Sequence, residues 1–453
     1  MSEILFGTDG FRGKANDSTE TGINPTTFYR LVREYVGLLA QRGSQQTIVA
    51  IGSDTRTSSP ALRDAACAGA EEAGAEVWDM KVAPTPVIAW AAQNHYTNAV
   101  SITASHNPAE DNGIKLFDIG GIKPSSETHR EVERRYFGAI GLPYLPFALQ
   151  QRQVGQPHLK SEYIDHVVES IGKGTLKGKK VIIDGGNGAV FDIAPRVYQA
   201  LGAEVIPFSC SDNGAHINHN CGAAHLEGVI KFIKEHPEIV NSPDFIGAFA
   251  SDGDGDRVMG VDRLGRVIDG NYWLNRLAIG QLGIVGTVYT NSALRQAVEE
   301  RGIEFHECAN GDHNVTSRLL ELTASRGPGF TRGGEFTGHL IDLDHLSSGD
   351  GIYMGEWLAA DLAARGMSLA DVYEELSLWP ENMINVRARG AAERLATPTF
   401  QEILNIERER LGNLGRIIVR VSGTEDLVRV WAEAKFEDVS AITSRLAQVL
   451  QAA

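Results

Sequence analysis

The strongest chemical signal in the chain is a loop from Ser251 to Arg257, in which three aspartates alternate with glycines. Asp252, Asp254 and Asp256 offer carboxylate oxygens, the ligands that Mg²⁺ and Ca²⁺ prefer, and the glycines let the backbone turn tightly. An EF-hand needs glutamate at the twelfth position, where this chain has Arg263, so the loop is of a different type. Three carboxylates this close together repel one another unless a cation binds. The spacing therefore predicts a divalent metal site.

A candidate nucleophile lies in the polar segment Thr103-Ala-Ser-His-Asn-Pro108. Neighbouring side chains of an extended segment point to opposite faces, so His106 is expected to be poorly placed to take the Ser105 proton. The Gly-x-Ser-x-Gly pattern of serine hydrolases does not surround Ser105 either. A lone serine in such a loop is usually a turn residue. Ser105 becomes a candidate for carrying a phosphoryl group because the chain also has a metal loop and several separate arginine-bearing loops.

A third segment, Arg332-Gly-Gly-Glu-Phe-Thr-Gly-His339, has glycines that free three polar side chains to line a pocket. Glu335, Thr337 and His339 suit sugar hydroxyls, whose recognition depends on paired polar contacts. A plain glycine turn is an equally good interpretation of these residues alone.

The fourth segment combines Arg420-Val-Ser-Gly-Thr-Glu425 with Arg429. Ser422, Gly423 and Thr424 offer hydroxyls and backbone N–H groups, and the arginines can bind phosphate oxygens through paired donors. The chain has no Gly-x-x-x-x-Gly-Lys-Ser/Thr motif, so this would be a phosphate site of another kind. The alternative is an exposed hairpin turn with surface arginines.

The elements that must position these loops form a repeated pattern of a short apolar strand, an amphipathic helix, a glycine and a second strand. The three copies have first strands at Thr47–Ile51, Val181–Asp184 and Thr287–Thr290, helices at Ala61–Ala73, Ile193–Leu201 and Ala293–Arg301, and glycines at 74, 202 and 302. Strands that alternate with helices predict mainly parallel sheets with helices on both faces. From Ser368 onward, alternating strands with helices at Leu369–Leu376 and near Val439–Leu450 predict a small antiparallel α+β domain.

Composition limits the partners and the compartment. The chain of 453 residues has 42 Lys and Arg against 58 Asp and Glu, a formal net charge of −16, which disfavours nucleic acid or an anionic membrane as the main partner. Its four cysteines form no Cys-x-x-Cys pair, so a zinc or disulfide framework is not expected and a reducing compartment is favoured. With no basic leader and no apolar run of about 18 residues, a cytoplasmic location is expected.

Taken in order along the chain, the four motifs resemble those of the α-D-phosphohexomutase family, and the resemblance covers almost the whole chain. Three segments are most similar to the bacterial phosphoglucosamine mutases within that family: Phe6–Gly13 (FGTDGFRG), Asn385–Arg387 and Ser422–Glu425. The resemblance implies four domains around a central cleft, three similar mixed α/β units with sheets between helices and a smaller C-terminal α+β domain. We place the boundaries at residues 1–155, 156–258, 259–367 and 368–453.

The resemblance also assigns roles to the matching residues. Ser105 is expected to be the phosphoserine, and its phosphate would hold one Mg²⁺ together with the three aspartates. Lys115 and Arg12 would assist proton transfer and stabilise charge beside the phosphate, and Arg257 would support the metal loop. The sugar would be bound by Glu335, Thr337 and His339, and the phosphate that does not react by Arg420, Ser422, Gly423, Thr424 and Arg429.

The implied reaction is the interconversion of glucosamine 6-phosphate and glucosamine 1-phosphate through a phosphoserine and a hexose 1,6-bisphosphate, which also acts as activator. Two departures from the family pattern bear on the sugar: Phe336 and Thr337 replace the usual Gln and Ser, and His313 and Asn314 replace the usual Arg and Tyr. The alternatives are a phosphomannomutase or phosphoglucomutase, and a non-catalytic paralogue that binds sugar phosphates. The expected partner is a small sugar phosphate, and the expected state is a monomer or homodimer.

Overall fold

The structure, a computed structural model, describes residues 6–7, 10–43, 47–140, 158–387, 390–421, 427–436 and 438–451. It divides into two compact units. The first contains Met1–Tyr289 and Ile303–Glu375, and the second contains Thr290–Gly302 and Leu376–Ala453. None of the helices in the described ranges has the length and apolar character needed to cross a lipid bilayer.

The N-terminal part of the chain forms a five-stranded sheet flanked by helices. Its elements are β1 (Phe11–Lys14), α1 (Pro25–Gln41), β2 (Ile48–Ser53), α2 (Ser59–Glu72), β3 (Glu76–Val82), α3 (Thr85–Asn94), β4 (Asn98–Ile102), β5 (Asp111–Phe117) and α4 (Ser126–Gly138). The strand order is β1-β5-β4-β2-β3, with β2, β3 and β4 parallel and β5 antiparallel to both β4 and β1. The turn from β4 to β5 carries Ser105, so the serine follows the carboxyl end of a central strand.

A second five-stranded sheet follows. Its region contains α5 (Leu159–Ile171), β6 (Lys180–Asp184), α6 (Ile193–Ala200), β7 (Glu204–Phe208), α7 (Glu227–Glu235), α8 (Pro237–Val240), β8 (Phe245–Ser251), β9 (Val258–Val261) and β10 (Val267–Ile268). The order is β10-β9-β8-β6-β7, and β8 and β9 form an antiparallel hairpin. The aspartate loop is the turn of that hairpin, at the carboxyl end of the buried strand β8.

The third sheet has four strands and carries the predicted sugar loop. The elements are α9 (Gly270–Leu277), β11 (Gly283–Thr287), α10 (Ser292–Glu300), β12 (Glu304–Cys308), α11 (Asp312–Arg326), β13 (Arg332–Gly334), β14 (Leu340–Asp342), α12 (Gly351–Arg365) and α13 (Leu369–Glu375). The order is β12-β11-β13-β14, and the turn between the antiparallel strands β13 and β14 holds residues 335–339.

The three predicted strand–helix–strand copies are confirmed, because β2 and β3, β6 and β7, and β11 and β12 are parallel pairs. Gly74, Gly202 and Gly302 have φ of +89°, +101° and +75°, the left-handed conformation that ends a helix and that glycine adopts most readily. In the third copy, the first strand was predicted at Thr287–Thr290, which is too late in the chain. It runs over Gly283–Thr287, where two glycines weaken the strand signal, and Val288 and Tyr289 lie beyond it.

The second unit contains a three-stranded antiparallel sheet, as predicted for the tail. Besides α10, its elements are β15 (Glu381–Val386), α14 (Ala391–Arg394), α15 (Pro398–Leu411), β16 (Gly415–Val421), β17 (Val428–Ala434) and α16 (Val439–Gln451). The order is β15-β17-β16. The helix α15 was not predicted, although Thr397 caps it by accepting a hydrogen bond from the Phe400 N–H and Pro398 opens it.

Candidate active site

Lys115 and Arg12 lie on one face of the first sheet because of strand register. Arg12 is directly opposite Gly113 on β5, and Lys115 lies two residues further along that strand. Side chains two apart on a strand share a face, and directly paired residues share it too. A Cβ atom at Gly113 would lie 2.9 Å from Arg12 Cγ, so the aliphatic part of the Arg12 side chain lies against this glycine. The fold thus brings the two predicted cations together.

Ser105 is fully buried and has a φ of +53°. Its Oγ donates a hydrogen bond to Asp252 Oδ2 at 2.6 Å, although 147 residues separate the two in sequence. His106 Nδ1 is 3.4 Å from Ser105 Oγ. The extended geometry assumed for this segment is therefore wrong at Ser105, because a left-handed residue turns the chain and brings the neighbouring imidazole to the same side. The contact is long for a hydrogen bond, and the aspartate is the closer partner.

The three aspartates converge as the sequence predicted. The three residues are at most 1% exposed, and one carboxylate oxygen from each lies within 4.8 Å of the others. The turn is held by backbone N–H groups, since those of Gly255 and Arg257 donate to Asp252 Oδ1 at 3.2 and 3.3 Å. A compact group of buried carboxylates of this kind provides the oxygen ligands of a hard divalent cation.

Two cationic side chains lie beside the three aspartates: Lys115 from β5 and Arg257 from the loop itself. Lys115 Nζ lies 2.8 Å from Asp254 Oδ2 and 2.5 Å from Asp256 Oδ2, and Arg257 Nε lies 4.0 Å from Asp252 Oδ2. Burial, followed by repulsion from Asp256 and Asp254, raises the pKa of Asp252 well above its usual value. A bound cation would relieve that repulsion.

The aspartates also fit a cation because one of their carboxylate oxygens is still free to act as a ligand. Among the described residues, the buried Asp254 Oδ1 has no hydrogen-bond partner. A buried carboxylate oxygen is costly to leave without a partner, and a metal ion is one of the few species that can bind it here. The residues present therefore fit Mg²⁺.

The predicted sugar loop lies against the β8–β9 hairpin that carries the three aspartates, here called the metal hairpin. The Val258 N–H on β9 donates to the Gly338 carbonyl at 3.0 Å. His339 is 2% exposed, with its Nδ1 3.9 Å from Asp256 Oδ1 and its Nε2 3.4 Å from Asp312 Oδ2. The structure thus places this histidine between the metal loop and the start of α11.

The other two residues of the sugar loop differ in how they are held. Glu335 Oε1 accepts a hydrogen bond from the Gly311 N–H at 2.9 Å, which fixes the carboxylate beside the start of α11. The Thr337 hydroxyl oxygen is buried and has no hydrogen-bond partner among the described residues. Glu335 is therefore oriented by the protein itself, whereas no described residue orients the Thr337 hydroxyl.

In the second unit, the structure describes two of the five predicted phosphate-binding residues. Arg420 on β16 is directly opposite Arg429 on β17, and Asn385 on β15 is opposite Arg429 on its other side. Like charges directly across a strand pair destabilise a sheet, and an anion bound to both would remove that repulsion. Ser422, Gly423 and Thr424 lie outside the described residues.

Sequence reasoning missed several residues that hold this site. Asp54 and Arg56 follow β2, and Thr85 opens α3, where its hydroxyl donates to Asp254 Oδ2 at 2.7 Å. Polar residues at the carboxyl end of a parallel strand are a recognisable signal, so Asp54 and Arg56 were within reach of the sequence. Asn218 Nδ2 donates to the Ser105 carbonyl at 2.8 Å, in the turn between β4 and β5 that we call the serine loop. Nothing in the sequence around Asn218 indicates a role at the site.

Comparison with known proteins gives matches along nearly the whole chain. Residues 3–140, 161–265 and 266–378 match, in turn, the profiles of the alpha/beta/alpha domains I, II and III of phosphoglucomutase/phosphomannomutase. Residues 383–450 match the C-terminal domain of the same proteins.

Similar proteins and structures agree with these matches. Phosphoglucosamine mutase from Thermus thermophilus is 37% identical over 95% of this chain and 94% of its own, and that from Moorella thermoacetica is 35% identical over 98% and 99%. A phosphoglucomutase/phosphomannomutase family protein from Burkholderia thailandensis has a TM-score of 0.76 at 23% identity, covering 100% of this chain and 99% of its own. N-acetylphosphoglucosamine mutase from Aspergillus fumigatus, solved with GlcNAc-6P and magnesium, has a TM-score of 0.63 at 18% identity, covering 99% and 95%.

Proposed function

Because the chain belongs to the phosphoglucomutase/phosphomannomutase family, we propose that it interconverts glucosamine 6-phosphate and glucosamine 1-phosphate. The observation that carries the proposal is the buried Ser105 hydroxyl at 2.6 Å from Asp252, beside three converging aspartates. The choice of sugar rests on the phosphoglucosamine mutases that align with nearly the whole chain.

The proposed reaction moves a phosphoryl group from Ser105 to the sugar and back. The bond between Ser105 Oγ and phosphorus breaks, a bond from phosphorus to the free sugar hydroxyl forms, and the hydroxyl proton passes to a basic group in the site. The resulting hexose 1,6-bisphosphate reorients in the site. Its other phosphate is then transferred to Ser105, which leaves the serine phosphorylated again. A hexose 1,6-bisphosphate supplied as activator would phosphorylate the serine of enzyme molecules that lack the phosphate.

Catalysis of such a transfer depends on positioning and on neutralising charge. Asp252, Asp254 and Asp256, with the phosphate on Ser105, would hold Mg²⁺. When bound, Mg²⁺ supplies a Lewis acid that draws charge from the phosphoryl oxygens. Lys115 and Arg12 share the face of the sheet beside the serine and would stabilise the same charge, and Lys115 would assist proton transfer.

Recognition of the substrate is proposed for two further groups of residues. Glu335, Thr337 and His339 would bind the sugar, with Glu335 fixed by the Gly311 N–H and Thr337 offering its hydroxyl. The cross-strand pair Arg420 and Arg429 would take the phosphate that is not being transferred. A cytoplasmic location and a monomeric or homodimeric state remain predictions.

The mechanism is tested at its nucleophile. Ser105→Ala is expected to abolish turnover, and intact-mass measurement of the active wild type should show one phosphate that maps to Ser105. Ser161→Ala, which changes an exposed serine on α5, is the matched control and should keep both the activity and the phosphate. Full activity of Ser105→Ala would contradict the mechanism.

The sugar is tested by comparing glucosamine, N-acetylglucosamine, glucose and mannose phosphates in one assay with Mg²⁺ and glucose 1,6-bisphosphate. We expect the highest kcat/KM with glucosamine phosphate. A preference for mannose or glucose phosphate would favour the alternative suggested by Phe336, Thr337, His313 and Asn314. Conversion of none of the four would contradict the mutase proposal and favour a non-catalytic paralogue.

A further inference from the structure

The main chain of the serine loop is held in a conformation that it would not adopt alone. Ser105 has a φ of +53°, a left-handed conformation that is unfavourable for a residue other than glycine. Such a conformation persists only where surrounding groups fix it. Here the surrounding groups donate hydrogen bonds to main-chain carbonyl oxygens between residues 105 and 111.

One set of contacts comes from beneath the loop. The fully buried Arg56 pairs with Asp54 at 2.9 Å and donates to four main-chain carbonyls of the loop. Two of the four are those of Ser105 at 3.0 Å and Asn107 at 2.8 Å. This contact lies within the first sheet region and fixes the loop relative to β2.

A second set comes from a distant part of the chain. Asn218 Nδ2 donates to the same two carbonyls, Ser105 O at 2.8 Å and Asn107 O at 3.1 Å. Asn218 is 4% exposed and has a φ of +56°, a conformation that asparagine tolerates better than most residues. Its side chain therefore reaches the loop from the region of the second sheet.

The segment that carries Asn218 is itself anchored. The Asn218 N–H donates to the Gly186 carbonyl at 2.9 Å. The buried Asp184 accepts from the N–H groups of Gly186 at 3.0 Å and Gly222 at 2.7 Å, which ties both turns to the end of β6. The amide of Asn218 is thus held at a fixed distance from the sheet that also carries the metal hairpin.

The metal hairpin completes the enclosure of the Ser105 carbonyl. A Cβ atom at Gly253 would lie 2.6 Å from Ser105 O and 2.9 Å from Asn218 Nδ2, closer than real Cβ atoms approach. The backbone next to Asp252 therefore lies directly against the serine carbonyl. Arg56, Asn218 and Gly253 surround that carbonyl from three parts of the chain.

From these contacts we infer that Asn218 is a positioning residue for phosphoryl transfer, because its two hydrogen bonds set the place of Ser105 Oγ relative to the aspartates of the metal loop. The inference rests on the proposed mutase function. Asn218 acts through the serine loop, so its loss should slow the chemical step and leave substrate binding nearly unchanged. Displacing a reacting group by about 1 Å costs on the order of 100-fold in rate.

The test compares Asn218→Ala with Asn220→Ala. Asn220 lies in the same segment at a φ of +52°, but it is exposed and its side chain contacts His219. Both variants place alanine at a left-handed position, so they share the backbone cost and differ in the contacts to the serine loop. We expect kcat of Asn218→Ala to fall about 10- to 100-fold, with KM within about twofold of wild type, and Asn220→Ala to match wild type.

A second readout does not depend on turnover. The rate at which Ser105 takes a phosphate from glucose 1,6-bisphosphate, followed by intact mass, should fall in Asn218→Ala by the same factor as kcat. If Asn218→Ala does not fold, Asn218→Gly with Asn220→Gly replaces the pair, because glycine adopts positive φ without strain. Equal kcat and equal phosphate uptake in the 218 and 220 variants would overturn the inference. An inactive wild type would instead contradict the proposed function.

Discussion

Two buried acidic sites of the first unit, the metal loop and Glu356, differ in what surrounds their carboxylates. Lys115 Nζ lies within 2.8 Å of Asp254 and Asp256, and Thr85 and Ser105 donate to Asp254 and Asp252. Glu356 lies on α12 and is fully buried, yet no described side chain donates a hydrogen bond to either of its carboxyl oxygens.

The difference shows which physical partner each site uses. A buried carboxyl group is stabilised either by a nearby cation and donors or by taking up a proton. Burial, and next the negative charge of Asp350, raises the pKa of Glu356 well above its usual value. The carboxylates of the metal loop thus have a cation and donors beside them, whereas burial favours the neutral form of Glu356.

The largest expected effect follows removal of the ammonium from the metal loop. Lys115→Met leaves Asp254 and Asp256 buried without their lysine, and breaking a buried pair in this way costs about 3–5 kcal/mol. We expect lost turnover and a lower midpoint of thermal unfolding, with Mg²⁺ raising that midpoint more in the variant than in wild type. Lys81→Met removes a half-exposed partner of the buried Asp79, which keeps Arg63 Nε at 3.2 Å, so stability should change by less than about 1 kcal/mol. Equal stability of the two variants would show that Lys115 does not compensate the metal loop.

The next effect should appear as a pH dependence of stability. The pKa of Glu356 is raised in the folded state, so the folded protein binds this proton more tightly than the unfolded chain does. The resulting contribution to the free energy of unfolding is fully present below the unfolded pKa of about 4.3 and is lost as pH rises toward the folded pKa. Within that window the loss is about 1.4 kcal/mol per pH unit. Glu356→Gln cannot ionise, so its stability advantage over wild type should widen between pH 5 and pH 8.

Urea denaturation midpoints of wild type and Glu356→Gln across that pH range measure this difference. Asp350, Tyr163 and Tyr198 interact electrostatically with Glu356, and all three remain in the variant. Glu235→Gln, at an exposed position, should show no widening. A constant difference at all pH values would mean that Glu356 is not held neutral.

The smallest effect concerns a hydroxyl that donates a hydrogen bond to Asp254, one of the proposed metal ligands. Thr85 Oγ1 donates to Asp254 Oδ2 at 2.7 Å and contacts Ser101 Oγ at 2.7 Å. Thr85→Val keeps the shape and removes the hydroxyl, and loss of such an outer contact typically weakens metal binding about 10-fold or more. We expect this weakening in calorimetric titration with Mg²⁺. Thr97→Val removes a buried hydroxyl that has no hydrogen-bond partner among the described residues, and its Mg²⁺ affinity should equal that of wild type.

Much of the fold and part of the site could be predicted from the sequence because their signals are local. Alternating strands and helices ended by Gly74, Gly202 and Gly302 predicted the parallel pairs, and the spacing of aspartates and glycines predicted a metal loop. The same local reasoning failed at Ser105, because a left-handed serine replaces the extended geometry that neighbouring residues suggest. It also missed α15, whose capping residues Thr397 and Pro398 were not used.

The sequence by itself determined which residues are candidates for chemistry: a serine in a polar loop, three aspartates spaced by glycines, and arginines in separate loops. Only the tertiary structure decided that Ser105 lies on Asp252, that Asn218 and Arg56 share the Ser105 carbonyl, and that Glu356 lacks a donor. The physical reason is that backbone conformation follows from near neighbours and glycine positions. Hydrogen bonds between residues more than 100 apart depend on strand order and on which loops meet at the ends of the sheets.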